Sequence, residues 1–186
     1  GASVGGGYGG TDKQKGSFKF CSFIGNQASS GGGVYLRRGG TLTHCIFMDN
    51  KSTGDGGGIY ASGTSVSLKY CLIAGNHSGK QGWAVYSKDA TLTNCTVVYN
   101  TAYKVGGGFF LQGIRAQRRT SAKPAKMTAD HSIIWGNAAT GENQGSRRIG
   151  PPYGNQLWFG EKGAPGIALI TRSNIELGEE DYGNLL

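Results

Sequence analysis

Four cysteines recur at nearly constant spacing, and thiols are the side chains of this chain best suited to bind a metal or form a cross-link. They are Cys21, Cys45, Cys71 and Cys95, separated by 24, 26 and 24 residues. A structural zinc site takes cysteine pairs a few residues apart, and the chain has no such pair. A disulfide between neighbouring repeats stays open, although side chains that project in parallel fit its dihedral angle poorly. We favour a ladder of buried thiols, because Ser132 takes the same place in a fifth repeat.

An asparagine lies five residues after each cysteine, and such amides can bind ligands or carry glycans. The set is Asn26, Asn50, Asn76, Asn100 and, five residues after Ser132, Asn137. Two of them, Asn50 and Asn76, match the Asn-x-Ser glycan acceptor pattern. Asparagine also tolerates the left-handed backbone of a tight turn, and stacked amides can hydrogen-bond to one another. We therefore expect a structural ladder of asparagines, one at the turn that closes each repeat.

Aromatic residues form a third recurring set, each placed shortly after a glycine-rich block. They are Tyr35, Tyr60, Tyr86 and Phe110. If they line a groove, they could receive sugar rings, and Arg37, Arg38 and Lys88 could meet the carboxylates of an acidic polysaccharide. Aromatic residues on neighbouring strands also stabilise a sheet by packing on each other. Both interpretations stay open, and the packing interpretation is favoured.

The acids and histidines give little support to catalysis. The acids within the repeats are Asp49, Asp55, Asp89 and Asp130, and the histidines are His44, His77 and His131. Glycoside hydrolysis needs two carboxyl groups that face each other, and no two of these acids share an equivalent position in neighbouring repeats. We predict no catalytic residue, metal ligand or cofactor. Enzymatic activity is left open, with a non-catalytic role favoured.

The elements that position these residues follow from the repeat. Each unit of 24–26 residues contains a glycine block, a short apolar segment, a turn, a second apolar segment ending near the cysteine, and the asparagine. Helical repeats are excluded because 35 of the 186 residues are glycine and the units are rich in strand-forming residues. Leucine-rich repeats need more leucines per unit. What remains is a parallel β-helix with two or three short strands in each coil.

Strand alternation predicts which side chains enter the core of this β-helix. In the first strand of each coil, the residues on either side of the aromatic one should point inward, and the aromatic ring should point outward. In the second strand, Leu42, Leu68 and Leu92 should point inward. The position two after each cysteine or Ser132 should also be buried: Phe23, Phe47, Ile73, Val97 and Ile134.

The pairing of Gly-Gly-Gly-Val with a later Phe-Ile-Gly-Asn or Phe-Met-Asp-Asn resembles a known family. It is similar to the repeats of chlamydial polymorphic outer-membrane proteins and of bacterial surface proteins in the pectate-lyase-like superfamily. The resemblance covers about residues 5–137, with a degenerate last coil at about 166–178. It implies an all-β fold, a right-handed parallel β-helix of about five to six coils, forming one domain over residues 1–186. The superfamily contains lyases, hydrolases and adhesins alike.

Two irregular segments interrupt the repeat, and long loops often carry function. A basic insertion at about 112–126 contains Arg115, Arg118 and Arg119, and an irregular loop at about 138–165 contains Trp158. Both are predicted contact surfaces for a partner. The glycines at the start of the sequence would leave the strand edges of a first coil bare. We therefore expect other protein chains, or the rest of a longer chain, to cover them.

The net charge of +8 limits the choice of partner. It permits an acidic polysaccharide, but no nucleic-acid-binding motif is present and no apolar run is long enough to span a membrane. We expect an extracytoplasmic protein, at the cell surface or secreted. Its expected role is a non-catalytic scaffold or adhesin-like module of a larger protein or complex. The alternative is a polysaccharide-binding or polysaccharide-degrading domain.

Overall fold

Short β-strands make up all the regular structure of the described part of the chain. The computed structural model describes residues 8–9, 15–61, 64–80, 84–103, 106–112, 123–139, 157–159 and 167–175. Each strand has two to five residues, and the strands form four parallel sheets. In these residues we find no helix that could cross a membrane.

The chain visits the four sheets in turn, and each of the first five coils contributes one described strand to each sheet, while the sixth contributes to the first three. The first sheet contains Tyr8–Gly9, Val34–Leu36, Ile59–Ala61, Val85–Ser87, Phe109–Leu111 and Leu157–Phe159. The second sheet contains Gly16–Lys19, Gly40–Thr43, Ser65–Lys69, Asp89–Thr93, Lys126–Asp130 and Ile167–Thr171. The third sheet contains Ser22–Ile24, Ile46–Met48, Leu72–Ala74, Thr96–Val98, Ile133–Trp135 and Asn174–Ile175. The fourth sheet contains Gln27–Ala28, Lys51–Ser52, His77–Ser78, Thr101–Ala102 and Ala138–Ala139.

Equivalent residues of successive repeats pair directly across the sheets. Leu68, for example, is the register partner of both Leu42 and Leu92. This stacking confirms the predicted parallel β-helix, and six strands in each of three sheets agree with the predicted number of coils. The fourth strand of each coil was not predicted. It has only two residues and follows the ladder asparagine directly, too short a segment for alternation to reveal.

The inward positions predicted from alternation form the core. All of them are buried, from Val34 and Phe47 in the early coils to Ile134 in a late one. Each position builds a ladder along the axis, and the rings of Phe23 and Phe47 stack with centroids 4.8 Å apart. Ser87 occupies one core ladder between Ala61 and Leu111, and its hydroxyl oxygen is buried without a hydrogen-bond partner.

Two columns of left-handed turns flank the third sheet. One lies just before the cysteine or its serine equivalent: Phe20, His44, Tyr70, Asn94, His131 and Arg172. The other lies just before the ladder asparagine: Gly25, Asp49, Gly75, Tyr99 and Gly136. The prediction that the asparagines themselves take this conformation is therefore wrong. The preceding residue makes the left-handed step, and the asparagine side chain is left to reach its neighbour inside the coil.

The glycine blocks allow successive coils to approach each other closely. A Cβ atom on Gly32 would lie 2.3 Å from the carbonyl oxygen of Gly57 in the next coil, and one on Gly33 would lie 2.8 Å from that of Gly58. No side chain fits such gaps without moving the backbone. Glycine is therefore favoured at the turn between the fourth and first sheets, although Ala84 takes the position equivalent to Gly33 and Gly58 in one coil.

The two predicted irregular segments are only partly described. Arg115, Arg118 and Arg119 lie outside the described residues. Residues 157–159, predicted to belong to the irregular loop, instead form a strand of the first sheet, where Trp158 is the register partner of Phe110. The reason is local: Leu-Trp-Phe has the same apolar-aromatic-apolar pattern as the other strands of that sheet.

Candidate functional site

The asparagine ladder is a continuous chain of hydrogen bonds that runs along the inside of the solenoid. The Nδ2 atom of Asn50 donates to Oδ1 of Asn76 at 2.8 Å and to the carbonyl oxygen of Phe23 at 2.8 Å. The same side-chain contact joins Asn26 to Asn50, Asn76 to Asn100, and Asn100 to Asn137. Asn50 and Asn76 are fully buried, so neither acceptor pattern is accessible to glycosylation in the folded chain. Their hydrogen bonds make these amides structural.

The cysteines stack along the axis as free thiols. Cys45, Cys71 and Cys95 are buried and Cys21 is half-buried. Burial raises the pKa of the Cys45 thiol, and hydrogen bonding to Cys95 together with burial raises that of Cys71. The same hydrogen bond with Cys71 lowers the pKa of the Cys95 thiol. Cys45 and Cys71 therefore stay protonated, and protonated, enclosed thiols are poor nucleophiles and poor metal ligands. Among the described residues, no group of histidine, cysteine or acid side chains is arranged to hold a metal ion.

The predicted aromatic column forms on the outside of the first sheet. Ring centroids are 5.1 Å apart from Tyr35 to Tyr60, 4.7 Å from Tyr60 to Tyr86 and 5.1 Å from Tyr86 to Phe110, with near-parallel planes. Tyr86 is only 7% exposed and Phe110 5%, and the Tyr86 hydroxyl donates to Oε1 of Gln112 at 2.5 Å. The rings cover each other's faces, so a sugar ring cannot stack on the interior of the column. This geometry favours the packing interpretation.

The described aspartates near the second sheet tie neighbouring coils together. Asp89 accepts hydrogen bonds from the Ser65 hydroxyl at 3.0 Å and the Lys126 backbone N–H at 2.8 Å. Asp130 accepts from the Thr171 hydroxyl at 2.8 Å and from the Arg172 guanidinium. The Thr171 hydrogen bond is the main cause that lowers the pKa of Asp130. Both acids therefore have structural partners in adjacent coils.

A surface that the sequence interpretation missed lies on the outside of the third sheet, here called the third-sheet face. Its outward residues form two columns: Ile24, Met48, Ala74, Val98 and Trp135 in one, and Ser22, Ile46, Leu72, Thr96 and Ile133 in the other. Ile24 is 57% exposed and Trp135 43%, and Ile46 and Ile133 are exposed as well. None of the outward residues on the described strands of this sheet is charged.

Aromatic residues border this face at both left-handed turns. Along one edge, the ring of His44 lies 4.9 Å from that of Phe20 and 4.7 Å from that of Tyr70. Along the other edge, the ring of Tyr99 packs against Gly136, where an added Cβ would lie 2.6 Å from a ring carbon. Seven of the ten exposed large apolar residues in the described chain belong to this face and its two edges. Apolar surface gathered in this way marks an interaction site.

The sequence matches one family. A family model described as "Right handed beta helix region" matches residues 10–177. The chain belongs to this right-handed β-helix family. No curated protein and no solved structure matches the chain. The family assigns the handedness of the solenoid, and the narrower likeness to chlamydial outer-membrane proteins stays a prediction.

Within this β-helix, the two left-handed columns differ in a way that bears on function. Glycine takes three of the five left-handed positions before the asparagines, but none of the six before the four cysteines and their two serine equivalents. Left-handed geometry costs a residue with a side chain roughly 1 kcal/mol or more. Placing Phe20, His44 and Tyr70 there exposes stacked rings beside the third-sheet face, at a position where glycine would fit the backbone more easily.

The third-sheet face could have been found in the sequence of this β-helix. Second strands such as Thr41-Leu42-Thr43 alternate polar and apolar residues, as one buried face requires. Third strands such as Ile46-Phe47-Met48 and Ile133-Ile134-Trp135 are apolar on both faces. An outer face without charged residues, apolar at most of its positions, was the available signal.

Proposed function

We propose that this β-helix is a non-catalytic binding scaffold of an extracytoplasmic surface protein, adhesin-like in its use of a rigid solenoid to present a contact surface. The observation that carries the proposal is the concentration of exposed apolar residues on the third-sheet face. The backbone groups of that sheet are paired between coils, for example through the register of Ile73 with Phe47 and Val97. A partner can therefore cover the face without leaving unpaired backbone donors or acceptors.

The acids favour a scaffold over a hydrolase or lyase. Asp89 and Asp130 are occupied by hydrogen bonds and ion pairs within the solenoid. A catalytic acid pair would instead face a groove from opposite sides, with its pKa values pushed apart. The arrangement of these two residues serves the stacking of coils.

A second candidate, binding of an acidic polysaccharide, rests on Tyr99 and Trp135. Tyr99 is 67% exposed, and its ring lies against the backbone of Gly136, beside Trp135 in the next coil. An exposed aromatic ring supported by the backbone in this way can stack on the apolar side of a sugar. The net charge of +8 would attract uronate groups.

The experiment that tests the proposal compares binding with turnover. Purified protein is incubated with polygalacturonate, and both retention on the polymer and the release of new chain ends are measured. The scaffold proposal expects no release. Chain-end release at a rate proportional to protein concentration would contradict it. Retention without release, lost in Tyr99→Ala and kept in the control Leu169→Ala on the second sheet, would favour the polysaccharide-binding candidate.

Location is tested separately in the source cells. An antibody against the chain should label intact cells or the culture medium. A signal found only after cells are lysed would overturn the extracytoplasmic part of the proposal.

A further inference from the structure

We propose that the third-sheet face is covered by the same face of a second copy of this chain, in an antiparallel two-fold dimer. The inference rests on the proposed function, since it names the partner of the proposed contact surface. Three features of the face carry it: its charge, the distribution of its side chains along the axis, and its area.

The absence of charge on the third-sheet face argues against an acidic partner and permits contact with a second copy. Each copy has a net charge of +8, so most ways of bringing two copies together place like charges against each other. The outward residues of the third sheet carry no charge, which makes this face a low-cost place for self-contact. An acidic partner would be better recognised by basic residues within the contact, and the face contains none.

The side chains are arranged so that the face complements itself under a two-fold rotation. The third sheet has six strands, and its midpoint lies between Leu72–Ala74 and Thr96–Val98. We place a two-fold axis at this midpoint, in the plane of contact and parallel to the strands. The strand Ile46–Met48 then lies opposite Ile133–Trp135 of the second copy. Apolar side chains then meet apolar side chains on the second and fifth strands, while Ser22 and Asn174, both uncharged, meet on the outermost strands. Such an isologous contact closes after two copies.

The area of the face reaches the lower limit for a specific interface. Six strands about 4.8 Å apart span about 24 Å, and five residue steps from turn to turn span about 16 Å. The flat area is on the order of 400 Å² per copy, and the relief of the side chains raises the accessible area above this value. The flat areas of the two copies sum to about 800 Å², and side-chain relief raises the buried area toward the roughly 1,000 Å² of a weak, reversible interface.

Sedimentation velocity across a range of protein concentrations tests this dimer. The double variant Ile46→Asp/Trp135→Asp should raise the dimer dissociation constant at least tenfold, because four carboxylates would enter the apolar contact. The matched control Ile167→Asp/Leu169→Asp adds the same charge to exposed positions of the second sheet. It should leave the dimer dissociation constant unchanged. Circular dichroism verifies that both variants stay folded. Equal weakening by both variants would overturn the proposal.

The register has its own test. A Met48→Cys variant mixed with a Trp135→Cys variant should give a mixed cross-link under mild oxidation, faster than either variant alone cross-links with itself. The reverse preference would contradict the antiparallel arrangement.

Salt and vesicles separate this proposal from the proposed function. Added salt should strengthen the dimer, because it screens the repulsion between two basic copies. A dimer that salt weakens would be held by charged groups and would overturn the proposed contact through the uncharged third-sheet face. A chain that stays monomeric but binds phosphatidylserine vesicles, with loss in Ile46→Asp/Trp135→Asp, would overturn the second copy and keep the face as a contact surface. A monomer with no binding through this face would remove both proposals.

Discussion

Hydrogen bonding of single buried residues links one coil of the solenoid to the next. Asn76 is a central example: its Oδ1 accepts from the backbone and side chain of Asn50, and its Nδ2 donates to the carbonyl oxygen of Phe47 and to Asn100. Removing one such amide leaves several buried polar groups unpaired at once. Each orphaned group costs about 1–3 kcal/mol.

Replacement of Asn76 by alanine should therefore lower the free energy of unfolding by about 3 kcal/mol or more. The control Asn26→Ala removes a half-buried amide at the end of the described ladder and should cost about 1 kcal/mol. Urea unfolding measures both. Equal losses would show that the ladder does not work as a continuous chain.

Ser87 gives the opposite expectation. Its hydroxyl is buried without a partner, and Ala61 occupies the equivalent place one coil earlier. Ser87→Ala should raise the free energy of unfolding by up to about 1 kcal/mol. Ser78→Ala is the contrast, because the Ser78 hydroxyl donates to the carbonyl oxygen of Gly54 at 2.6 Å, and its loss should destabilise. A stability loss in Ser87→Ala would mean that the hydroxyl finds a partner in solution.

The buried thiols predict a loss of stability in alkali. Burial raises the pKa of Cys45 above its ordinary value of 9.0, so the folded state keeps a proton that the unfolded chain releases. This stabilisation is complete below pH 9 and is lost as the pH rises through the folded-state pKa. Cys45→Ser should lessen the alkaline loss, since Ser132, which accepts a hydrogen bond from the Cys95 backbone N–H in the adjacent coil, shows that serine fits the ladder. Urea unfolding at pH 8 and pH 10 measures the change in the free energy of unfolding. An equal change in the variant and in the unchanged protein would contradict this role of the thiol.

Strands and turns differ in how far they could be predicted from the sequence. The inward faces followed from alternation because Val34-Tyr35-Leu36 and its equivalents repeat with one period and one pattern. The left-handed residues could not be predicted, because Phe20 and Tyr70 are types that disfavour that backbone and only the stacked turn imposes it. The position two after each cysteine points into the core and predicts a buried residue in every third strand. It carries no information about the residues on either side of it, which form the third-sheet face.

The basic insertion at about 112–126 is a candidate contact surface for an acidic polysaccharide. Arg115, Arg118 and Arg119 belong to a segment of about twelve extra residues, rich in positive charge, that departs from the repeat. If it contacts an acidic polysaccharide, reversing all three charges should weaken retention on polygalacturonate, most strongly at low salt. The third-sheet face is unchanged in this variant, so self-association should persist. If the charge-reversed variant and the unchanged protein are retained equally at every salt concentration, the insertion is not a contact surface for the polysaccharide.

At the scale of the whole molecule, the solenoid separates stability from recognition. Stability comes from ladders of like residues inside the coil, each contacting only its neighbours along the axis. The outer faces are then free to differ: the first sheet carries stacked aromatic rings, the second hydroxyl and charged residues, and the third apolar ones. Exposure of apolar surface to water is unfavourable, and the third sheet has the most apolar outer face of the three. We therefore assign this face to a partner.

Hydroxyl-radical footprinting at low and high protein concentration tests this assignment most directly. As copies associate, Met48, Trp135 and Tyr99 on the third-sheet face and its edge should lose reactivity together. Ile167 and Leu169, exposed on the second sheet, should keep theirs. Unchanged reactivity of Met48 and Trp135 in the associated state, or protection that appears only on the second sheet, would contradict the account.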